Sequence, residues 1–205
     1  MTNRQLVIGL GTIVLVSAGW MTPLLAQQVG TVTQVPVGPD LPMLITAPPP
    51  ATKLEGFLAA PGSVVTVGHE DIGTIAGIVV EVREIRDATG AGARGLVVEL
   101  TQSQGPGERS YVDADEVSDL IKGMDTLLEV RANPTQLKSF EVQYATRGGL
   151  EITTFNTGRG DVLYAVHAGY GPRARRVGLS VTDIQRLRTF LQTAAQKLAS
   201  LPAIK

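Results

Sequence analysis

Apolar and polar positions in this chain alternate in two blocks, and each block ends in a stripe at helical spacing. In the first block, Ser63–Val67 reads as a strand after the turn signal Pro61-Gly62, and His69-Glu70-Asp71 as a polar turn. Ile78, Val80 and Val82 then face one way while Glu81 and Arg83 face the other, as a half-buried antiparallel strand requires. Leu96, Val98 and Leu100 repeat the pattern with Glu99 opposite, and Arg109–Val112 is a short fourth strand. Val117, Leu120, Ile121, Met124, Leu127 and Leu128 follow at steps of three and four, which predicts a helix over 113–130. Asp113 is its expected N-cap, and Glu116 completes a capping-box pattern.

The second block has the same order. Phe140, Val142 and Tyr144 alternate with Glu141 and Gln143, and Arg147-Gly148-Gly149 is a turn. Strands are expected at Leu150–Phe155, at Val162–His167, and where Val177, Leu179 and Val181 alternate. Ser180 and Asp183 form a second capping box before a helix over 180–197, striped by Ile184, Leu187, Leu191, Ala194, Ala195 and Leu198.

The two blocks superpose at a constant offset of 67 residues. Asp113 falls on Ser180, Val112 on Leu179, Arg109 on Arg176 and Leu100 on His167. Such an offset is the mark of an internal repeat. The predicted fold class is α+β: tandem ββββα units, 53–134 and 135–205, forming a pseudo-twofold body of antiparallel sheet covered by two helices. This element order, from about Ser63 to Leu201, resembles the strand-then-helix units of the PC4 and Whirly single-strand-DNA-binding proteins. The resemblance implies a sheet surface open to a nucleic acid strand. It rests on element order, with no shared residue motif, so it assigns no site residue.

The N-terminus places the expected domain outside the cytoplasm. Residues 1–26 combine the positive Arg4, an apolar run over Leu6–Ala18 and a cleavage sequence at Leu24-Leu25-Ala26, and read as a signal peptide. Left uncleaved, residues 5–26 would serve as a membrane anchor. Cleavage gives a periplasmic or secreted protein. Six prolines between Pro36 and Pro50 mark residues 27–52 as an extended linker. The formal net charge is −1, and loss of Arg4 with the signal leaves −2, so no global attraction to nucleic acid or anionic membranes is expected. The chain has no cysteine, which excludes disulfides, thiolate metal sites and thiol nucleophiles. With only His69 and His167, a histidine-rich metal site is excluded too. No metal and no cofactor is expected.

Candidate chemistry gathers in the second block. The turn Gly169–Arg176, GYGPRARR, sets Arg173, Arg175 and Arg176 beside Tyr170, while its counterpart Gln102–Arg109 is nearly neutral. Arginine forks next to an aromatic suit a carboxylate, a phosphate or a polyanion. His167 replaces a core leucine in the superposition, and its imidazole could act as a base or ligand. Tyr144 and Arg147 complete the candidate ligand-binding set of Tyr144, Arg147, His167, Tyr170, Arg173, Arg175 and Arg176. Asp113, Asp115, Glu116 and Asp119 lack calcium-loop spacing and suit a helix start. No nucleophile elbow and no phosphate loop occurs. The expectation is an exported, non-enzymatic binding module for an unidentified protein or anionic ligand. The alternatives are single-strand nucleic-acid or polyanion binding, and a hydrolase that uses His167 with an acid.

Overall fold

The computed structural model describes residues 51–101, 107–130, 134–170 and 174–204. The expected signal peptide, nearly all of the linker and Arg173 lie outside the described residues. The chain runs α1 (Lys53–Ala59), β1 (Val65–Ile75), β2 (Ile78–Asp87), β3 (Gly92–Leu100), β4 (Glu108–Asp113), α2 (Val117–Glu129), β5 (Glu141–Ala145), β6 (Glu151–Asn156), β7 (Val162–Ala168), β8 (Arg175–Leu179) and α3 (Val181–Ser200). Two four-stranded antiparallel sheets, ordered β1-β2-β3-β4 and β5-β6-β7-β8, make this an α+β fold.

The alternation read from the sequence does place the core. Val80, Val82, Leu96, Val98 and Val112 from the first sheet meet Ile152, Tyr164, Val166 and Leu179 from the second in one apolar cluster. Val117, Leu120, Met124 and Leu127 of α2 and Ile184, Leu187, Leu191 and Ala194 of α3 complete it. The helices are crossed with respect to chain order. α2 follows the first sheet but packs on β5 and β6 of the second, and α3 follows the second sheet but packs chiefly on β1 and β2 of the first. The buried Thr154 hydroxyl donates to the Leu127 carbonyl at 3.2 Å and ties β6 to the end of α2.

Ring and glycine pairs set the fit of each helix to its sheet. Phe190 of α3 lies over Gly73 of β1, where an added Cβ would come within 2.6 Å of the ring. On the other side the sizes are reversed. Tyr144 of β5 lies over Gly123 of α2, where an added Cβ would meet ring atoms at 2.3 to 2.7 Å.

Three local expectations are corrected. His69-Glu70-Asp71 is not a turn but part of β1, which runs on through a bulge at Asp71/Gly73 to a two-residue hairpin at Ala76-Gly77. Both turn residues have positive φ, 50° and 80°, the primed turn that matches strand twist. Second, Asp113 does not cap α2. That helix starts at Val117, with Glu116 in the N-cap position making no side-chain cap bond. Instead the Asp113 carboxylate caps α1, a helix that hydrophobic periodicity did not predict. It accepts from the Lys53 and Leu54 amides at 2.8 and 3.2 Å. Third, the superposition of caps holds only for Ser180, whose capping box with Asp183 is present.

α1 occupies the outer face of the first sheet. Leu54, Ile85 and Ala93 form a second small core there, with Phe57, Val65 and Tyr111 packed around it. A Thr52–Glu55 capping box closes its first turn.

Two stability predictions follow from this packing. Asp113 is 1% exposed and accepts two orphan helix amides, so Asp113→Ala is expected to cost about 2 kcal/mol, read as a lower urea midpoint. Gly123→Ala in mid-helix would ordinarily stabilise by about 1 kcal/mol. Here overpacking against Tyr144, at about 1–3 kcal/mol, outweighs that gain and leaves a net loss of up to about 2 kcal/mol. In a Tyr144→Ala background the sign should return to stabilising; if it does not, the ring is not what excludes the methyl group.

Candidate functional site

Strand register defines the outer face of the second sheet. β6 pairs with β7 through Glu151↔His167 and Thr153↔Ala165, and β7 pairs with β8 through His167↔Arg176 and Ala165↔Gly178. Glu151, His167 and Arg176 therefore form one lateral row, pointing away from Ile152, Val166 and Val177, which face the core. A second row holds Gln143, Thr153, Ala165 and Gly178, and a third Glu141, Phe155 and Leu163.

Arg176 spans these rows. Its guanidinium lies 4.9 Å from the Phe155 ring centroid. To arrive there from the His167 row it crosses the Ala165–Gly178 row, whose small side chains leave room for the aliphatic stem. Thr153 and Ala165 are both buried on this otherwise open face. A cation held over an aromatic ring contributes about 0.5–1 kcal/mol at such a site, little enough for a ligand to redirect it. The Thr153 hydroxyl donates to Glu151 at 3.2 Å, so it is engaged with the acid and not with His167.

His167 is half-buried, and the strand register corrects its expected match to Leu100. Leu96 pairs with Val112, and Tyr164 pairs with Leu179, so Ala168 and not His167 occupies the core-facing place of Leu100. The counterpart of His167 is Glu99, which pairs with Arg109 as His167 pairs with Arg176. A slip of one residue moves a side chain to the other face of a sheet.

The remaining candidates lie elsewhere. Tyr144 is on the inner face under α2, where burial raises its phenol above the ordinary tyrosine value. Arg175 is exposed on β8, opposite Ala168. Arg147 and Tyr170 belong to a junction between the sheets. Arg147 Nη2 donates to Asp115 at 2.8 Å, its Nε to Glu116 at 3.3 Å and its backbone amide to Glu116 at 2.9 Å. Asp113 lies 3.8 Å from the same guanidinium. With three carboxylates around it, Arg147 is a structural cation rather than an anion receptor. The Tyr170 hydroxyl donates to the Arg147 carbonyl at 2.7 Å, and Gly148 bridges to Tyr111. A Cβ at Gly148 would lie 1.8 Å from the Tyr111 carbonyl oxygen, so only glycine allows that approach.

The structure thus brings His167 and Arg176 together, brings Arg147 and Tyr170 together, and keeps Tyr144 on the inner face, away from the row of His167 and Arg176. Glu151, Thr153 and Phe155 were missed in the sequence. Their alternation in β6 was visible, but which β7 residues they face depends on register. Among the described residues no group of three or more His, Asp or Glu could hold a metal ion, and no helix is long and apolar enough to cross a membrane. Comparison with protein-family models, curated proteins and solved structures finds no match.

The junction has a pH signature. Burial works against the Asp115 charge, but hydrogen bonds from Lys53 and Arg147 outweigh it and hold the carboxyl below its usual value. A carboxyl depressed in the folded state stabilises the fold above its unfolded value and loses that contribution as pH falls through the lowered one. Arg147→Ala is expected to reduce stability at neutral pH and to make the acid limb shallower. Urea midpoints taken from about pH 7 down to about pH 3 check this. Parallel curves for wild type and variant would refute the assignment.

Proposed function

We propose that this chain is an exported, non-enzymatic binding module that receives an anionic ligand or partner on the outer face of β5–β8. One observation carries the reading. Among the described residues no element packs on that face, whereas the equivalent face of the first sheet holds α1 and a buried Glu81–Arg83 pair beside Tyr111. An antiparallel sheet with one solvated face is common, but this one presents a graded chemical surface: Glu151, His167 and Arg176 in a row, then an arginine resting on Phe155. Arg176 makes no ion pair among the described residues. It is placed on the outer face to fork a carboxylate or phosphate, whereas Arg175 points to the other face of β8.

The tandem ββββα arrangement supports this reading as the origin of the asymmetry. We infer two copies of one unit about a pseudo-twofold axis, from the matching order of strands and the crossed seating of the helices. The reversed pairs Phe190–Gly73 and Tyr144–Gly123 occupy corresponding places in the two halves. One copy then closed its outer face with α1 and the other kept it open.

Single-strand nucleic-acid binding is the weaker reading. Stacking would need aromatic side chains on the open face. Tyr144 and Tyr164 face the core instead, which leaves Phe155.

The test pairs binding with salt titration. An acidic peptide and a single-stranded oligonucleotide are titrated against the wild-type chain and Arg176→Ala. The expected result is a loss of about tenfold or more in affinity for the acidic peptide, the scale of one charge-assisted hydrogen bond. Equal binding by both proteins would remove Arg176 from the site. Affinity for the oligonucleotide that is flat with salt would remove phosphate contacts.

A further inference from the structure

Among the described residues the two sheets have four edges, at β1, β4, β5 and β8. Three of them are short or protected. β4 is engaged at Tyr111 by Gly148, and its Ser110 accepts the Gly169 amide at 3.1 Å. β8 and β5 have five residues each, and β8 begins with Arg175 and Arg176. β1 differs from all of these. It is 11 residues long, and Thr66–Asp71 are all exposed. Natural sheet edges are blunted by charged side chains, proline, bulges or brevity. Over Val65–Gly68 the β1 edge has none of these; charge enters at Glu70, which pairs with Lys197 at 2.7 Å, and the bulge lies beyond, at Asp71/Gly73. Two large apolar side chains are left in solvent beside the edge, Val64 at 81% and Val67 at 39% exposure.

We propose that β1 is a self-association edge that pairs antiparallel with β1 of a second copy of this chain, about a dyad at Val67. A dyad normal to a sheet brings together residues of the same face, so the cross-strand partners follow from the sequence. On the outer face Val67 meets Val67 of the second copy, Val65 meets His69, and Ser63 meets Asp71. On the inner face Thr66 meets Gly68 and Val64 meets Glu70. No acid faces an acid, and Val65 and Val67 of both copies form one apolar strip across the outer face of the join. Like charges directly opposite would destabilise such a pairing, and here there are none. The strand is its own complement, which is why the occupant is a second copy. The two first sheets become continuous across the dyad. A groove of about 280 Å³, lined by Thr66, Gly68, Glu70, Val82 and Lys197, lies on the inner face beside the edge and meets its twin there.

The absence of cysteine makes the register directly testable, since any introduced thiol is the only one in the chain. In the full chain, Val67→Cys should form a disulfide-linked dimer under mild oxidation. Gly158→Cys, on the exposed β6–β7 turn, serves as the control and should cross-link at least about tenfold more slowly. A mixture of Val65→Cys and His69→Cys should give the mixed dimer, while neither alone does. Val67→Lys places like charges on the dyad and should shift the sedimenting species from dimer to monomer. The proposal is overturned if the wild-type chain sediments as a monomer, or if Val67→Lys leaves a dimer in place. It is also overturned if Val67→Cys cross-links no faster than Gly158→Cys, which would leave the edge to a different protein strand.

Discussion

A buried carboxylate holds the two sheets and the first helix in one arrangement. Asp113 ends β4 with its side chain almost wholly out of solvent. An acid in that position is tolerable only where donors surround it. The α1 amides of Lys53 and Leu54 are two of them, and the Arg147 guanidinium from the second sheet supplies opposite charge nearby. Removing any one of these leaves the others with an uncompensated partner. The acid-rich turn after β4 therefore acts as a clasp. It joins the chain before the first sheet to the loop between β5 and β6, positions far apart in sequence.

The clasp also decides which surfaces remain available. With α1 pinned against Ile85 and Ala93, the outer face of the first sheet becomes interior. The second sheet has no such cover among the described residues. In the proposed reading a ligand would therefore meet residues 151–176, while the cations at the clasp are committed to its acids. Position in the fold, more than residue type, separates Arg176, which rests on the Phe155 ring, from Arg147, which is held by carboxylates.

Element order, the core faces and both helix stripes were legible because periodicity reports them directly. Ile184, Leu187 and Leu191 lie in the core as their spacing requires. Ser180 and Asp183 were legible for a related reason, since a capping box closes within a single turn. Asp113 and Glu116 show the same spacing and misled, because spacing does not say which helix's amides lie nearest in space. α1 was overlooked although Thr52 and Glu55 have the capping-box spacing, since only Leu54 of its seven residues is buried and no stripe develops. His167 failed for a different reason. A constant offset assumes equal turn lengths, and the turn after β3 is one residue longer than the turn after β7. One residue is enough to invert a face, so Glu151, Phe155 and Arg176 could be gathered around His167 only once strand register was known.

The ring and glycine pairs bear on how the chain chooses its topology. Both helices are amphipathic and similar in their apolar stripes, so either could in principle lie on either sheet. Exchanging them would press Phe190 against Tyr144 and leave Gly123 facing Gly73 across an empty space. The collision and the void come together, so the uncrossed arrangement is penalised twice. A chain containing near-repeats is prone to pairing its parts in the wrong combination while folding. Here the bulk of two aromatic rings labels each helix with its destination, and the order of assembly need not be controlled for the correct partner to be found.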